Sequence, residues 1–364
     1  MHLSTVTRSP FGVMPDGTPV ELWRLEAGNG PYAEILGYGG ILHTFGTADP
    51  HGNRAPSVVL SLPDLDSYAK ESPYFGALVG RYANRIADGR FVLDGTEYTV
   101  PGNDRGNALH GGPEGFDRRV WRAEPLLGDG TAGLRLSLRS PDGDMGFPGT
   151  LDTEVLYELH ADGTLAITYR AATDRPTVVS LTNHAYFHLG GPGNGTVLDH
   201  LLQVDADAYL PVDARALPLG PPEPVAGTPF DFTAATPLGA RIDAPDPQLT
   251  AAGGYDHCWA LRPAAEPGTP RRAARLAPPG EGPALEVWTT EPGVQVYSGN
   301  FLDGSVRGSE GLPYRRHGAV CLETQRFPDS PNRPEYPSAV LRPGETLYSR
   351  TEYRLAWQSG RAHP

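Results

Sequence analysis

Apolar and polar residues alternate with a period of two along most of the chain, the pattern of strands that bury one face. Phe91–Val100 reads FVLDGTEYTV, and Asp94-Gly95 between its two short alternating runs predicts a two-residue hairpin turn. Leu151–Ala171 repeats the design on a larger scale: Val155, Tyr157 and Leu159 alternate towards the turn residues ADGT, and Leu165, Ile167 and Tyr169 alternate away from them. GLRLSLRS (Gly133–Ser140) and ALEVWTT (Ala284–Thr290) share this period, and LYSRTEYRLAW puts Leu347, Thr351, Tyr353, Leu355 and Trp357 on one face. Helical periodicity is scarce, and Leu62–Lys70 is the stretch that predicts one short helix.

Strands at this spacing, with turn signals between them, indicate an all-β sandwich or barrel, and the lack of a fixed repeat argues against a propeller. The 45 Gly and 38 Pro supply the punctuation that many short elements need. A length of 364 residues permits two domains or one large β unit. No shift in composition marks a boundary, so residues 1–364 read as a single domain, long enough to bury a core without disulfides or metals. Pro-rich stretches occur at Leu210–Pro229 and Pro263–Pro283, and the second reads as an exposed loop. The second carries Arg271, Arg272 and Arg275 and is expected to be a solvated basic loop.

Charge narrows the choice of partners. A formal net charge of −13 repels phosphate backbones, so neither nucleic acid nor an anionic membrane is an expected partner. It also weighs against a phosphorylated substrate unless a local basic pocket overrides it. Cys258 and Cys321 are too few for a disulfide framework and read as buried apolar residues in a reducing compartment. The first residues, MHLSTVTRSPFGVMPDG, hold no apolar signal region, and no apolar run approaches the roughly 20 residues that span a bilayer. The expectation is a cytoplasmic protein, monomeric or weakly dimeric.

Five segments set ionisable residues inside apolar strand patterns: GRYANRI (Gly80–Ile86), NALHGG (Asn107–Gly112), TNHAYFHLGG (Thr182–Gly191), GGYDHCW (Gly253–Trp259) and VCLETQRFPDSPN (Val320–Asn332). PGVQVYSGNFLDG (Pro292–Gly304) adds Gln295 and Asn300. Burying such groups costs a few kcal/mol each unless they are paired or used. His184 and His188 lie on a β-branched, aromatic stretch, where four residues span about 13 Å, too far for both to ligate one metal. HExxH, CxxC, GxSxG and phosphate-cradling motifs are absent from the sequence. Acid–base chemistry remains, with His110, His184, His257, Asp256 and Glu323 as candidates. Interconversion of sugar anomers needs only such groups: one takes the proton of the C1 hydroxyl while another protonates the ring oxygen. Structural readings stand beside these. His110 could be a turn histidine and His184 a core one. Asp256 could cap a turn, and Glu323 could be bridged to Arg85. His188 and His257 read as structural, His257 because it should face away from Asp256.

Taken together, in this order, the segments resemble the aldose 1-epimerase (galactose mutarotase) family from about Gly12 to Trp357. GFDRRVW (Gly115–Trp121), SPDGDMGFPG (Ser140–Gly149) and GTPFDF (Gly227–Phe232) join them. The resemblance implies an antiparallel β-supersandwich with its sugar site in an open cleft, no cofactor and no metal, and a monosaccharide such as galactose or glucose as substrate. It implies Glu323 as general base on the C1 hydroxyl, His184 as general acid at the ring oxygen, and His110 as the group that positions and polarises substrate. Asn84, Arg85, Asp256 and Gln295 would hold sugar hydroxyls. Ala185, His188 and Glu291 depart from the family's usual residues and bear on substrate preference rather than on the reaction. A sugar-binding protein without catalysis, or an epimerase of hexose 6-phosphates, are the alternatives on the same scaffold.

Overall fold

A computed structural model describes residues 4–358 except Asp129. Its largest sheet is a nine-stranded antiparallel one. The spatial order begins 122–128, 131–140, 151–160, 164–173 and 347–358, and continues through 282–289, 271–277, 201–204 and 236–237. A six-stranded sheet runs 186–187, 320–325, 293–297, 256–261, 206–210 and 223–224, and a four-stranded meander covers Thr5–Gly46. The hairpins at Asp94-Gly95 and at 161–163 form as the alternation predicts. The short helix is Leu65–Glu71, capped by the Asp64 side chain, which accepts from the Ser67 N–H.

The two large sheets share one apolar core. Leu134, Tyr157, Ile167, Val287 and Tyr353 from one meet Trp259, Val294, Val296, Val320 and Leu322 from the other, all essentially fully buried. Each such side chain contributes roughly 1.5–3 kcal/mol, so the register is strongly held. A one-residue slip would turn these residues outward and drive their polar neighbours into the core.

One sequence expectation fails. Arg271–Ala277 is a strand of the nine-stranded sheet rather than a loop, paired with Gly282–Thr289. The bulge between Arg272 and Ala274 breaks the period of two, and the small Ala273 and Ala274 conceal the buried face. Two of its three cations are also engaged: Arg272 pairs with Asp205 at 2.8 Å, and Arg271 donates to the carbonyl of Glu291.

Arg81 anchors the GRYANRI segment. It is 2% exposed, and its guanidinium donates to Ser140 Oγ and to the carbonyls of Ser140, Pro141, Pro148 and Gly149. Arg81→Met would keep the volume and orphan these acceptors, so a loss of about 3–5 kcal/mol is expected in the urea unfolding free energy. A loss below about 1 kcal/mol would show that water replaces the guanidinium without penalty.

Candidate active site

The strands 256–261, 293–297 and 320–325 place alternate residues on the face away from the core. Register pairs Gln295 with both Cys258 and Glu323, and Tyr297 with both Asp256 and Cys321. Asp256, Gln295 and Glu323 therefore share one face, while Val294, Val296 and Leu322 occupy the other. His257 turns into the core against Phe230, with ring centroids 4.7 Å apart, as its position after Asp256 predicts.

His184 arrives from a break between two strand pairings, Thr182–Asn183 with Leu78–Val79 and Tyr186–Phe187 with Val320–Cys321. Its backbone is held by the Ala77 carbonyl and the Gly76 N–H. His110 comes from the paired strands Arg85–Ile86 and Ala108–Leu109. Only glycine fits next to it, because a Cβ on Gly111 would sit 2.1 Å from the Gly80 carbonyl oxygen at a φ of +88°. This is the physical content of the LHGG motif.

The fold brings the three together. His184 Nε2 lies 3.6 Å from Glu323 Oε1, the two imidazole rings are 5.1 Å apart, and one donor atom from each of the three lies within 4.8 Å of the others. All three are buried. They open on a cavity of about 160 Å³, also lined by Tyr74, Asn84, Arg85, Asp104, Arg105, Asp256, Tyr186, Tyr297 and Phe301. A larger trough of about 530 Å³ lies elsewhere, on the nine-stranded sheet around Leu138, Thr153 and Ala171. It holds no histidine, and its ion pairs, such as Arg139 with Asp152, are exposed.

Electrostatics separate the roles. Desolvation, reinforced by the Asp256 charge and opposed by Arg85, pushes the Glu323 carboxyl well above the usual carboxylate range. Desolvation lowers His184 to about 4, against upward pulls from its own backbone and Asp256. His110 is pushed well below its ordinary value by desolvation, then by His184 and Arg85. Its Nδ1 accepts the Asn84 backbone N–H at 3.2 Å. The ring proton of neutral His110 therefore sits on Nε2, which makes His110 a fixed hydrogen-bond donor. The same bond argues against a metal on these three residues. A metal ligand must offer a lone pair, and His110 would have to lose its second ring proton or break from Asn84. His188 is no part of this cluster. In the structure His188 instead packs on His200, with ring centroids 5.0 Å apart.

The sugar-holding candidates do not all reach the cavity. Asn84, Arg85 and Asp256 line it, whereas Gln295 stands behind Asp256 and donates from Nε2 to its Oδ1 at 2.8 Å. Arg85 does not bridge to Glu323. Its Nε binds Asp104 at 2.7 Å, and its Nη2 lies 3.9 Å from Asp256. Sequence reasoning missed Asp104 and Tyr74. GNDRGN (Gly102–Asn107) looks like an ordinary turn, and Pro73-Tyr74-Phe75-Gly76 carries no charged group to draw notice.

Comparison with known proteins identifies the family and the fold. The sequence pattern of the family described as aldose 1-epimerase matches residues 21–354. Galactose mutarotase of Mus musculus is 42% identical over 353 residues, 97% of this chain and 99% of that protein. Aldose 1-epimerase of Escherichia coli (strain K12) is 40% identical over 344 residues, 94% of this chain and 96% of that protein. The crystal structure of galactose 1-epimerase from Lactobacillus acidophilus NCFM superposes with a TM-score of 0.85 at 28% identity, covering 97% of this chain and 99% of that one. The chain belongs to the aldose 1-epimerase family, a class of isomerases.

Proposed function

We propose that this protein catalyses mutarotation of free aldohexoses such as galactose and glucose, with Glu323 and His184 exchanging one proton across the hemiacetal. The observation that carries this reading is the 3.6 Å approach of His184 Nε2 to Glu323 Oε1 beside an open cavity. Ionised Glu323 takes the C1 hydroxyl proton, the C1–O bond of the ring breaks as the carbonyl forms, and the ring oxygen takes a proton from the His184 imidazolium. The pair passes from carboxylate and imidazolium to carboxyl and neutral imidazole. Burial of both groups favours that uncharged pair, so the ionised pair that opens the ring is the less populated of the two proton arrangements and whatever stabilises it raises the rate. Rotation about C1–C2 and the reverse transfers give the other anomer. His110 Nε2–H donates to the oxygen at which negative charge develops. Asn84, Arg85 and Asp256 hold hydroxyls, and Gln295 keeps the Asp256 carboxylate aimed. Every transfer returns its proton, so the scheme consumes no cofactor.

The lining holds two arginines against three carboxylates, and Asp104 faces both Arg85 and Arg105. Arg85 is committed to Asp104, and carboxylates outnumber cations in the lining, which favours the free sugar over a hexose 6-phosphate. All the proposed groups come from one chain, so a monomer or weak homodimer suffices. Among the described residues no helix is long and apolar enough to cross a membrane. The buried free thiols Cys258 and Cys321 fit a cytoplasmic setting.

Polarimetry on freshly dissolved α-glucose and α-galactose tests the reading. Optical rotation should reach equilibrium far faster than in the buffer blank, and inorganic phosphate should not inhibit. Binding of sugar by calorimetry with no rate enhancement would instead make the protein a sugar sensor.

A further inference from the structure

Beyond the proton-transfer pair, we propose that Tyr74 is a positioning residue that holds the His184 ring and stabilises its imidazolium form through the face of the phenol ring. Tyr74 stacks against His184, with centroids 5.7 Å apart and planes 20° apart. Tyr186 also stacks against His184, with centroids 5.1 Å apart and the same angle. The imidazole thus lies nearly parallel to two aromatic rings, whose negative faces attract a cation more than a neutral ring. Tyr74 also meets His110 edge-on at 4.6 Å, so one side chain sets both imidazoles.

The backbone carries an independent sign of this role. Tyr74 has a φ of +68°, a left-handed conformation that a bulky L residue adopts only under constraint. The surrounding loop ties it directly to His184. Tyr186 Oη donates to the Pro73 carbonyl at 2.9 Å, the Gly76 N–H to the His184 carbonyl at 3.0 Å, and the Asn183 side chain to the Gly76 carbonyl at 2.7 Å. Among the described residues the Tyr74 hydroxyl has only a 3.5 Å contact, with Asn103 Nδ2, so the ring rather than the hydroxyl fits the role.

The groups that face His184 are Glu323, His110, Asp256, Tyr74 and Tyr186, with Arg85 acting on Glu323 and His110. Removing the Tyr74 face while keeping apolar volume leaves the desolvation in place and withdraws a favourable contact from the cation. The imidazolium form then needs a lower pH.

Tyr74→Leu and Tyr74→Phe, assayed for kcat and KM against pH with a fold check by circular dichroism, decide the matter. For Tyr74→Leu, kcat should fall about 10-fold and the acid-side inflection should move down by about one pH unit, with the alkaline side unchanged. Tyr74→Phe should remain within about 2-fold of the native rate, because it retains the ring. An inflection that stays or moves upward, a loss confined to KM, or equal damage in Tyr74→Phe would overturn the proposal. Should Tyr74→Leu not fold, Tyr74→Trp replaces it, and the stronger cation binder should move the inflection to higher pH. The inference rests on His184 as the proton carrier. A fully active His184→Ala defeats that reading, whereas an unshifted Tyr74 series defeats the stacking role alone.

Discussion

Glu323→Gln is expected to lower the mutarotation rate by about 10²–10⁴-fold while leaving the protein folded, since a positioned base contributes that much and the amide cannot accept the C1 proton. The substitution is nearly isosteric at a residue 2% exposed, so packing changes little. Its stability should also diverge from the native protein in a defined pH window. The folded carboxyl is raised above its ordinary 4.5 by burial. Native stability from this group is therefore complete below about 4.5, where folded and unfolded states are both protonated, and is lost as pH rises through the folded value. Glutamine does not titrate. Glu323→Gln should match the native protein in urea melts at pH 4 and exceed it at pH 8. A variant less stable at pH 8 than at pH 4, relative to native, would contradict the burial argument, and full polarimetric activity would remove Glu323 from the mechanism.

The second large effect separates the two histidines. His184→Ala and His184→Gln should both lose about 10²–10⁴-fold in kcat, because neither replacement carries a proton to the ring oxygen. His110 has a different task. With Nδ1 bound by the Asn84 N–H, its Nε2–H donates without transferring. Loss of one such donor costs about 10²–10³-fold, so His110→Ala should fall in that range. His110→Gln, whose amide N–H can stand in for Nε2–H, should recover part of it. Equal recovery by glutamine at position 184 would mean the roles are exchanged.

The contrast between these residues shows how far a linear reading can reach. LETQ, TNHAYF and LHGG stand out as candidates because they set ionisable side chains where burial would otherwise be costly, and it is the family resemblance that implies their roles. The period of two discloses the sheets because a half-buried strand must alternate. The same rule places Asp256 and His257 on opposite faces before any coordinates are seen. Arg271–Ala277 defeats it, because a bulge shifts the phase and alanine is ambiguous as a marker of burial. Tyr74 and Asp104 escape it because their roles lie in contacts with residues distant in sequence.

The sequence by itself determined the all-β class, the main hairpins and the residue types able to move a proton at neutral pH, since all three follow from local alternation and side-chain chemistry. Only the tertiary structure decided which carboxylate faces which imidazole, that Gln295 supports Asp256 from behind, that Arg85 is committed to Asp104, and which nitrogen of His110 carries its proton. Those outcomes depend on register between strands far apart in the chain, and register is fixed by burial of Val294, Val296 and Leu322 on the far side of the sheet rather than by the proposed catalytic residues themselves.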